Sequence, residues 1–329
     1  MTKTFIIALL LALLSCASSR AQTLFSQNDD VISPGLDRTY VKALQYLVKT
    51  QNTDGSWPAQ YGNEPAVVGL CVLSILAHGE DPNSGPYRTT IHRGIDFILH
   101  RQNEQTGYIG SSMYNHGFST LALAECYGAV QDDRLGPALQ KAVDMILTSQ
   151  AHNPYNAWRY SPESPDADTT VSGAQMVALF AARNAGIGVP EEAINKALKY
   201  FASCQSADGG IGYSGPDGPD SARTAIGVLV FGLAKQQKST TYRAALAWLK
   251  SNTSNDNPYY HYYLYYAAQA YFRGGAATFD PWNAANIASL NKSQDADGSW
   301  NGQLGPTFST AASLLSLALN YRLLPIYER

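Results

Sequence analysis

Charged residues and cysteines are both scarce in this chain. Only 15% of the 329 residues are Asp, Glu, Lys or Arg, and the formal net charge is −3, so no basic patch is available to bind nucleic acid. The four cysteines include no Cys-x-x-Cys pair, which argues against a disulfide framework and against a zinc site. Cys71, Cys126 and Cys204 lie within apolar helical patterns, and we expect them to be buried thiols.

The apolar run near the start, Phe5 to Leu14, is too short to span a bilayer as a stable helix. Small residues follow it, and Ser19-Arg20-Ala21 is typical of a signal-peptidase site. We therefore expect a signal peptide at 1–21, a leader at 22–36 and export to the periplasm or the extracellular space, with no transmembrane segment. The alternative is a lipid anchor on Cys16, because the residues before it resemble a lipobox.

One pattern recurs along the chain: the end of a helix, then Gln, then an Asp-Gly turn, then Trp. It is clearest at Lys42 to Trp57 (KALQYLVKTQNTDGSW) and at Gln294 to Trp300 (QDADGSW). Weaker copies lie between them, and the key glutamines are Gln51, Gln102, Gln150, Gln205 and Gln294. With one degraded copy the period is roughly fifty residues, long enough for one helix hairpin per repeat.

Two kinds of helix alternate along the chain. The amphipathic kind is predicted at Asp37–Asn52, Tyr87–Asn103, Arg134–Gln150, Pro190–Gln205, Ser239–Asn252 and Asp280–Gln294. The second kind is apolar nearly all round, and it is predicted at Ala66–His78, Gly117–Tyr127, Thr169–Ala185, Ala222–Lys235, Tyr259–Phe272 and Thr307–Leu323. A helix that is apolar all round must be buried, so the second kind forms an inner layer.

The two terminal repeats are the best copies, whereas an open solenoid needs atypical polar repeats at its ends. We therefore predict that the sixth repeat closes onto the first. The expected fold is an all-α, single-domain (α/α)6 toroid over residues 37–329, in which six parallel inner helices are surrounded by six outer ones.

The segment Lys42 to Trp57 resembles the QW motif of squalene–hopene and oxidosqualene cyclases, and the repeats are also similar to those of protein prenyltransferase β subunits. The resemblance covers 37–329 and implies the same toroid. The zinc ligands of the prenyltransferases are not reproduced, because Asp220-Ser221-Ala222 lacks their Cys and Phe308-Ser309-Thr310 lacks their His. We therefore expect neither zinc nor another cofactor.

Parallel inner helices place their six N-termini at one rim. There the segment Pro165 to Thr170 (PDADTT) resembles the Asp-x-Asp-Asp motif of class II terpene cyclases. The resemblance implies that Asp168 is a general acid that protonates an alkene or epoxide, with Asp166 as its neighbour. Thr169 stands where the family has its last Asp. Alternatively, Asp168 is simply a helix N-cap.

Other candidates surround this motif. His116 opens the second inner helix and could orient a carboxylate or act as a base, or be a hydrogen-bonded structural residue. Arg159 could pair with an Asp of the motif or hold an anion. Asp220 matches the Asp of the prenyltransferase pattern and lies at another inner-helix head.

Tyrosines are abundant, with 21 in the chain. Four of them share one helix face by their spacing: Tyr259, Tyr262, Tyr263 and Tyr266. Together with Trp158, Tyr160 and Tyr213 they could line a cavity, where aromatic faces stabilise carbocations or stack on sugars. The alternative is an interhelical core with hydroxyls at a wet rim.

Three functions remain open from the sequence. The first is an isoprenoid-acting enzyme similar to class II terpene cyclases, with Asp168 as the acid. The second is a non-catalytic binding or scaffold protein of the cell envelope. The third is a carbohydrate-active toroid enzyme, so the ligand is an isoprenoid or a glycan. The sequence does not indicate an oligomeric state.

Overall fold

The repeats fold as pairs of helices. A computed structural model describes residues 32–60, 62, 64–253 and 258–328, and this part contains twelve α-helices followed by two short 3₁₀ turns at Ala318–Asn320 and Pro325–Tyr327. The helices are α1 (Pro34–Thr50), α2 (Pro65–Leu76), α3 (Arg88–His100), α4 (Met113–Cys126), α5 (Leu135–His152), α6 (Thr169–Asn184), α7 (Glu191–Ser203), α8 (Ser221–Leu233), α9 (Thr240–Ser251), α10 (Tyr260–Arg273), α11 (Ala276–Ser293) and α12 (Pro306–Leu317).

The even-numbered helices form the inner layer. Every residue of α2 is buried, whereas α7 buries only its apolar face and keeps Glu191 and Glu192 exposed. Each inner helix packs on the next one, and α12 packs on α2. The ring is therefore closed, and residues 35–329 form one compact unit. This confirms the predicted all-α toroid with inner and outer helix layers.

Some helix bounds differ from the prediction. Helix α11 begins at Ala276 instead of Asp280, because Phe279 is buried against Phe272 with the ring centroids 5.3 Å apart. Helix α12 ends at Leu317, and the chain continues as a 3₁₀ turn. The predicted signal peptide, residues 1–21, lies outside the described residues. Within the described part, no helix is both long enough and apolar enough to cross a membrane.

Five of the repeats share a hydrogen-bonded bridge made by the side-chain amide of the key glutamine, which we call the glutamine bridge. Gln51 Nε2 donates to the Gly55 carbonyl in its own turn at 3.2 Å and to the Thr90 carbonyl of the next outer helix at 3.0 Å. Gln294 donates to the Thr39 carbonyl of α1 at 2.9 Å, which joins the last repeat to the first. The equivalent acceptors in the next outer helices are Ala138 for Gln102, Ala193 for Gln150 and Thr241 for Gln205.

Within the described residues, the cysteines Cys71, Cys126 and Cys204 are buried free thiols, as predicted. At the C-terminal ends of the inner helices the last turn of the described chain, Pro325–Tyr327, lies across the ring. The Ile326 amide donates to Glu125 Oε2 of α4 at 3.3 Å, and Arg273 of α10 donates to the Ile326 carbonyl at 2.6 Å. Burial raises the pKa of Glu125 to about 8. This end of the ring is therefore covered.

Ring closure can be tested at Gly298, whose φ is +96° and where an added Cβ would lie 2.3 Å from the Lys42 carbonyl of α1. We expect Gly298→Ala to lower the free energy of unfolding by more than about 4 kcal/mol, because a backbone carbonyl cannot move aside. Gly186 is the matched control: its φ is +87°, but an added Cβ would meet nothing within 4 Å. Gly186→Ala should cost about 1–3 kcal/mol from backbone strain alone.

Urea unfolding of both variants measures the difference. Equal losses of stability in the two variants would show that the contact between the last and first repeats contributes nothing.

Candidate functional site

A cavity of about 720 Å³ lies at the N-terminal ends of the inner helices. All six inner helices or their N-caps contribute to its wall, so the six N-termini converge at one rim as the sequence predicts. Seven of the lining residues are aromatic. The lining residues are Ala59, Gln60, Glu64, Ala66, Val67, Ser112, Tyr114, Phe118, Tyr160, Thr170, Tyr213, Asp220, Ala222, Arg223, Tyr259, Tyr262, Leu304 and Phe308.

N-cap residues and prolines define where several inner helices begin at this rim. Ser112 caps α4 by accepting from the Asn115 amide, and Asp220 caps α8 by accepting from the Arg223 amide. Helices α2 and α12 begin with Pro65 and Pro306, which suit the first helical position. The positive ends of the helix dipoles therefore point at the cavity.

Asp168 is the N-cap of α6 and is fully buried. Its Oδ1 accepts from the Thr170 and Val171 amides, each at 2.8 Å, and from Thr170 Oγ1 at 2.6 Å. Its Oδ2 is buried without a hydrogen-bond partner. Burial raises the pKa of Asp168 above its ordinary value of 3.8, although the hydrogen bonds from Thr170 and Val171 and the charge of Arg159 oppose the shift.

Asp168 is therefore a helix cap and, at the same time, a buried carboxyl group whose pKa is raised. It does not line the cavity itself. The Thr170 side chain, which is bonded to it, does line the cavity.

Arg159 is the charged partner of the acidic motif. Its Nη1 lies 3.1 Å from Asp166 Oδ2, and its Nε lies 3.4 Å from Asp168 Oδ2. The guanidinium also faces the rings of Tyr160 and Tyr213, 5.0 and 5.1 Å from their centroids. Burial opposes its charge, but the neighbouring Tyr213, Asp168 and Asp166 prevail, and the pKa of Arg159 is raised.

Asp166 is more than half exposed and does not reach the cavity wall. Thr169, at the position of the last Asp of the family motif, makes its hydrogen bonds to the loop that follows α7. Its backbone amide donates to the Tyr213 carbonyl, and its Oγ1 donates to the Gly212 carbonyl at 2.8 Å. Thr169 thus fixes the start of α6 against the loop that follows α7.

Tyr213 and Asp220 line the cavity wall. The Tyr213 hydroxyl is hydrogen-bonded to the Tyr160 hydroxyl at 2.5 Å. Asp220 Oδ2 accepts from Arg223 Nη2 at 2.6 Å, and this guanidinium lies 5.8 Å from the Tyr213 ring centroid. The wall here combines tyrosine rings with a closed ion pair.

The four tyrosines that the sequence places on one helix face divide into two groups. Tyr259 and Tyr262 line the cavity, whereas Tyr263 and Tyr266 are buried and do not. Tyr266 packs behind Tyr262, with the two rings edge to face and 5.0 Å between centroids. Burial raises the pKa of both hydroxyls.

Two further predicted site residues, Trp158 and His116, also do not line the cavity. Trp158 is fully buried, and its Nε1 donates to the Ile146 carbonyl at 2.9 Å, as Trp57 donates to Leu47 and Trp300 to Leu290. It therefore occupies the place of the motif tryptophan in the third repeat.

His116 is fully buried as well. Its Nδ1 accepts from the Ile109 amide at 3.1 Å, and its Nε2 faces the Ala142 carbonyl at 3.0 Å, so both ring nitrogens are engaged. Burial lowers the pKa of His116 to about 4. This neutral ring joins α4 to α5.

Tyr114 is a cavity residue that the sequence did not reveal. It belongs to the first turn of α4, and its hydroxyl lies 2.5 Å from Thr170 Oγ1. Because the Thr170 hydroxyl donates to an ionised Asp168, Tyr114 must then donate to Thr170. Burial raises the pKa of Tyr114, so its phenol stays protonated. The contact joins α4 to α6, and no local sequence motif indicates it.

Structural comparison finds the same fold in two kinds of enzyme. The type II terpene cyclase MstE from Scytonema superposes with a TM-score of 0.64 at 16% identity, covering 88% of this chain and 99% of that one. A variant of MstE has also been solved in complex with the substrate, geranylgeranyl dihydroxybenzoate. An alpha-1,6-mannanase from Salegentibacter sp. HEL1_6 gives a TM-score of 0.65 at 9% identity, covering 88% and 99% of the two chains. Identities this low establish the shared fold only.

Family membership is established by sequence. The model of the prenyltransferase alpha-alpha toroid domain matches residues 11–113 and 66–260, which together cover more than half of the 329 residues. The closed ring of helix hairpins and the glutamine bridges agree with this match. The chain therefore belongs to the prenyltransferase alpha-alpha toroid family.

Proposed function

We propose that this protein is an exported enzyme of the class II terpene cyclase type, which binds an isoprenoid in the cavity and begins its cyclisation or isomerisation by protonating a double bond or an epoxide. The observation that carries the proposal is Asp168. It is a buried carboxyl group with a raised pKa, and a single hydroxyl, that of Thr170, connects it to an aromatic cavity.

The cavity suits a carbocation. Phe118, Tyr262 and Phe308 belong to three different inner helices and present aromatic groups to the same space. Aromatic faces attract cations, most strongly where water is absent. A cation formed beside these rings would be stabilised by their faces.

The surroundings of Asp168 also suit its conjugate base. Once the proton has left, three hydrogen bonds to Oδ1 and the guanidinium 3.4 Å from Oδ2 stabilise the carboxylate. Arg159 thus supplies the local charge balance beside a motif that lacks its last Asp. The predicted role of Asp166 narrows in this proposal to orienting Arg159 through their ion pair.

A glycan is the second candidate ligand. Two carboxylates, Glu64 and Asp220, belong to the cavity wall, and Tyr160 and Tyr259 are about half exposed at its rim, where rings can stack on sugars. An alpha-1,6-mannanase shares the fold. An open cavity of this size favours a small ligand of either kind over a scaffold without one.

The proposal is tested by incubating the purified protein in D₂O with squalene, with all-trans-geranylgeraniol and, separately, with alpha-1,6-mannotriose. We expect a cyclised or isomerised isoprenoid that carries deuterium on carbon, identified by mass spectrometry. Asp168→Asn should lose about 10²–10⁴-fold in rate, because Asn keeps the capping oxygen but supplies no acidic proton.

Asp54→Asn is the matched control, since Asp54 likewise accepts from the amide and hydroxyl of a residue two positions on, Ser56, but lies outside the cavity. Full isoprenoid turnover by Asp168→Asn would exclude the acid role. Binding or cleavage of mannotriose instead would select the glycan alternative. Binding of neither class would favour the scaffold.

The state of Asp168 is tested by stability as a function of pH. The pKa of Asp168 is raised in the folded state, so its contribution to stability is full below the unfolded-state pKa and is lost as pH rises through the folded-state pKa. The stability of the wild type relative to Asp168→Asn should therefore fall as pH rises above about 4.

Asp54 should behave in the opposite way, because hydrogen bonds from Ser56 lower the pKa of Asp54. The wild type should lose stability relative to Asp54→Asn as pH falls through that lowered pKa. Urea unfolding at a series of pH values measures both trends, and the same trend in both variants would contradict the assignment.

A further inference from the structure

The proposed acid, Asp168, is not in direct contact with the cavity that would hold the substrate. Asp168 is fully buried and does not line the cavity, whereas Thr170 and Tyr114 do. Asp168 Oδ1, Thr170 Oγ1 and the Tyr114 hydroxyl form a continuous row, with 2.6 Å for the first contact and 2.5 Å for the second. Each spacing is short enough for proton transfer along a hydrogen bond.

The geometry points to Tyr114 as the group that hands the proton to the substrate, with Thr170 as the link from Asp168. This inference rests on the proposed function, and it adds a catalytic residue outside the Pro165–Thr170 motif. The row Asp168–Thr170–Tyr114 is named here the hydroxyl relay.

The direction of the hydroxyl relay depends on the charge of Asp168. When Asp168 is ionised, Thr170 donates to it and Tyr114 donates to Thr170, so no relay hydrogen faces the cavity. A protonated Asp168 has no hydrogen-bond acceptor beside Oδ2, but it has Thr170 beside Oδ1. It therefore donates from Oδ1 to Thr170, the row reverses, and the Tyr114 hydrogen turns toward the cavity.

The transfer balances as follows. The O–H bond of Asp168 breaks as Thr170 Oγ1 takes the proton, the Thr170 hydrogen moves to the Tyr114 oxygen, and the Tyr114 hydrogen bonds to a substrate carbon using the π pair of its double bond. The adjacent carbon becomes a carbocation, and Asp168 becomes the carboxylate. Loss of a proton from the cation to solvent ends the reaction, and Asp168 regains a proton from solvent.

Several other ionisable groups face Asp168. They are Arg159, Tyr200, Cys204, Tyr213 and Tyr262, as well as Tyr114 itself. The tyrosine and cysteine pKa values are all raised, and so is that of Arg159, so these groups keep one charge state in acid and neutral solution. Asp166 lies beside Arg159. The variant Asp168→Asn distinguishes an effect of Asp166 from an effect of the relay, because it retains Asp166 and removes only the Asp168 carboxyl group.

The first arm of the test needs no substrate. Tyrosines are labelled with ¹³C at the ring carbon that bears the hydroxyl, and the Tyr114 signal is assigned by its loss in Tyr114→Phe. In the wild type we expect this signal to shift with pH at the same midpoint as the carboxyl carbon of Asp168. The shift should vanish in Asp168→Asn and in Thr170→Val, and return in Thr170→Ser, which keeps the hydroxyl.

The second arm measures turnover of squalene and geranylgeraniol in D₂O. Tyr114→Phe and Thr170→Val should each lose about 10²–10⁴-fold in kcat with KM nearly unchanged, and Thr170→Ser should recover most of the rate. Tyr108→Phe is the control, because Tyr108 is a partly buried tyrosine near α4 outside the cavity wall.

The arms separate the two proposals. A Tyr114 signal that ignores the titration of Asp168, or follows it equally in Thr170→Val, overturns the relay whether or not isoprenoids react. Turnover that survives Tyr114→Phe also overturns it. A coupled titration in a protein that leaves both isoprenoids unchanged supports the relay and counts against the isoprenoid function.

Discussion

The architecture depends on one repeated interaction, the glutamine side-chain amide that ties the turns of five repeats to the next outer helix. Both hydrogens of Gln51 Nε2 are used, one inside its own repeat and one in the following repeat. Each such bond contributes only about 0.5–1.5 kcal/mol. Its larger effect is geometric, because it fixes the register of neighbouring hairpins. With Gln294 joined to Thr39, that register returns on itself, and the inner helices begin at one rim.

The periodic part of this design could be read from the sequence, because Gln, Asp-Gly and Trp act within a few residues of one another. Trp158 shows where such reading fails. In its repeat the left-handed turn position is occupied by Asn156, with φ +53°, where the first repeat has Gly55. Gln150 donates to the Asn156 carbonyl just as Gln51 does to Gly55. Because this repeat lacks the motif glycine, the sequence alone does not identify Trp158 as the motif tryptophan. The prediction that it lines the cavity is therefore wrong.

The candidate site was only partly predictable, since its contacts join distant helices. Asp168 stood out through its local motif, whereas the Tyr114 contact with Thr170 spans 56 residues and depends on how α4 packs against α6. The tyrosines of α10 show a related limit. A helix that is buried on every side has no polar face to mark its orientation, so spacing alone could not separate Tyr262 from Tyr263.

The C-terminal turn also bears on how a ligand enters and leaves the ring. Pro325–Tyr327 covers the end of the ring opposite the cavity, held by Glu125 and Arg273. The cavity lies at the other end, among the N-termini of the inner helices. A long flexible chain can thread through such an opening more easily than a compact polycycle can leave it. For the proposed cyclase, product release would limit the turnover rate. Accumulated product would compete with fresh substrate for the same opening.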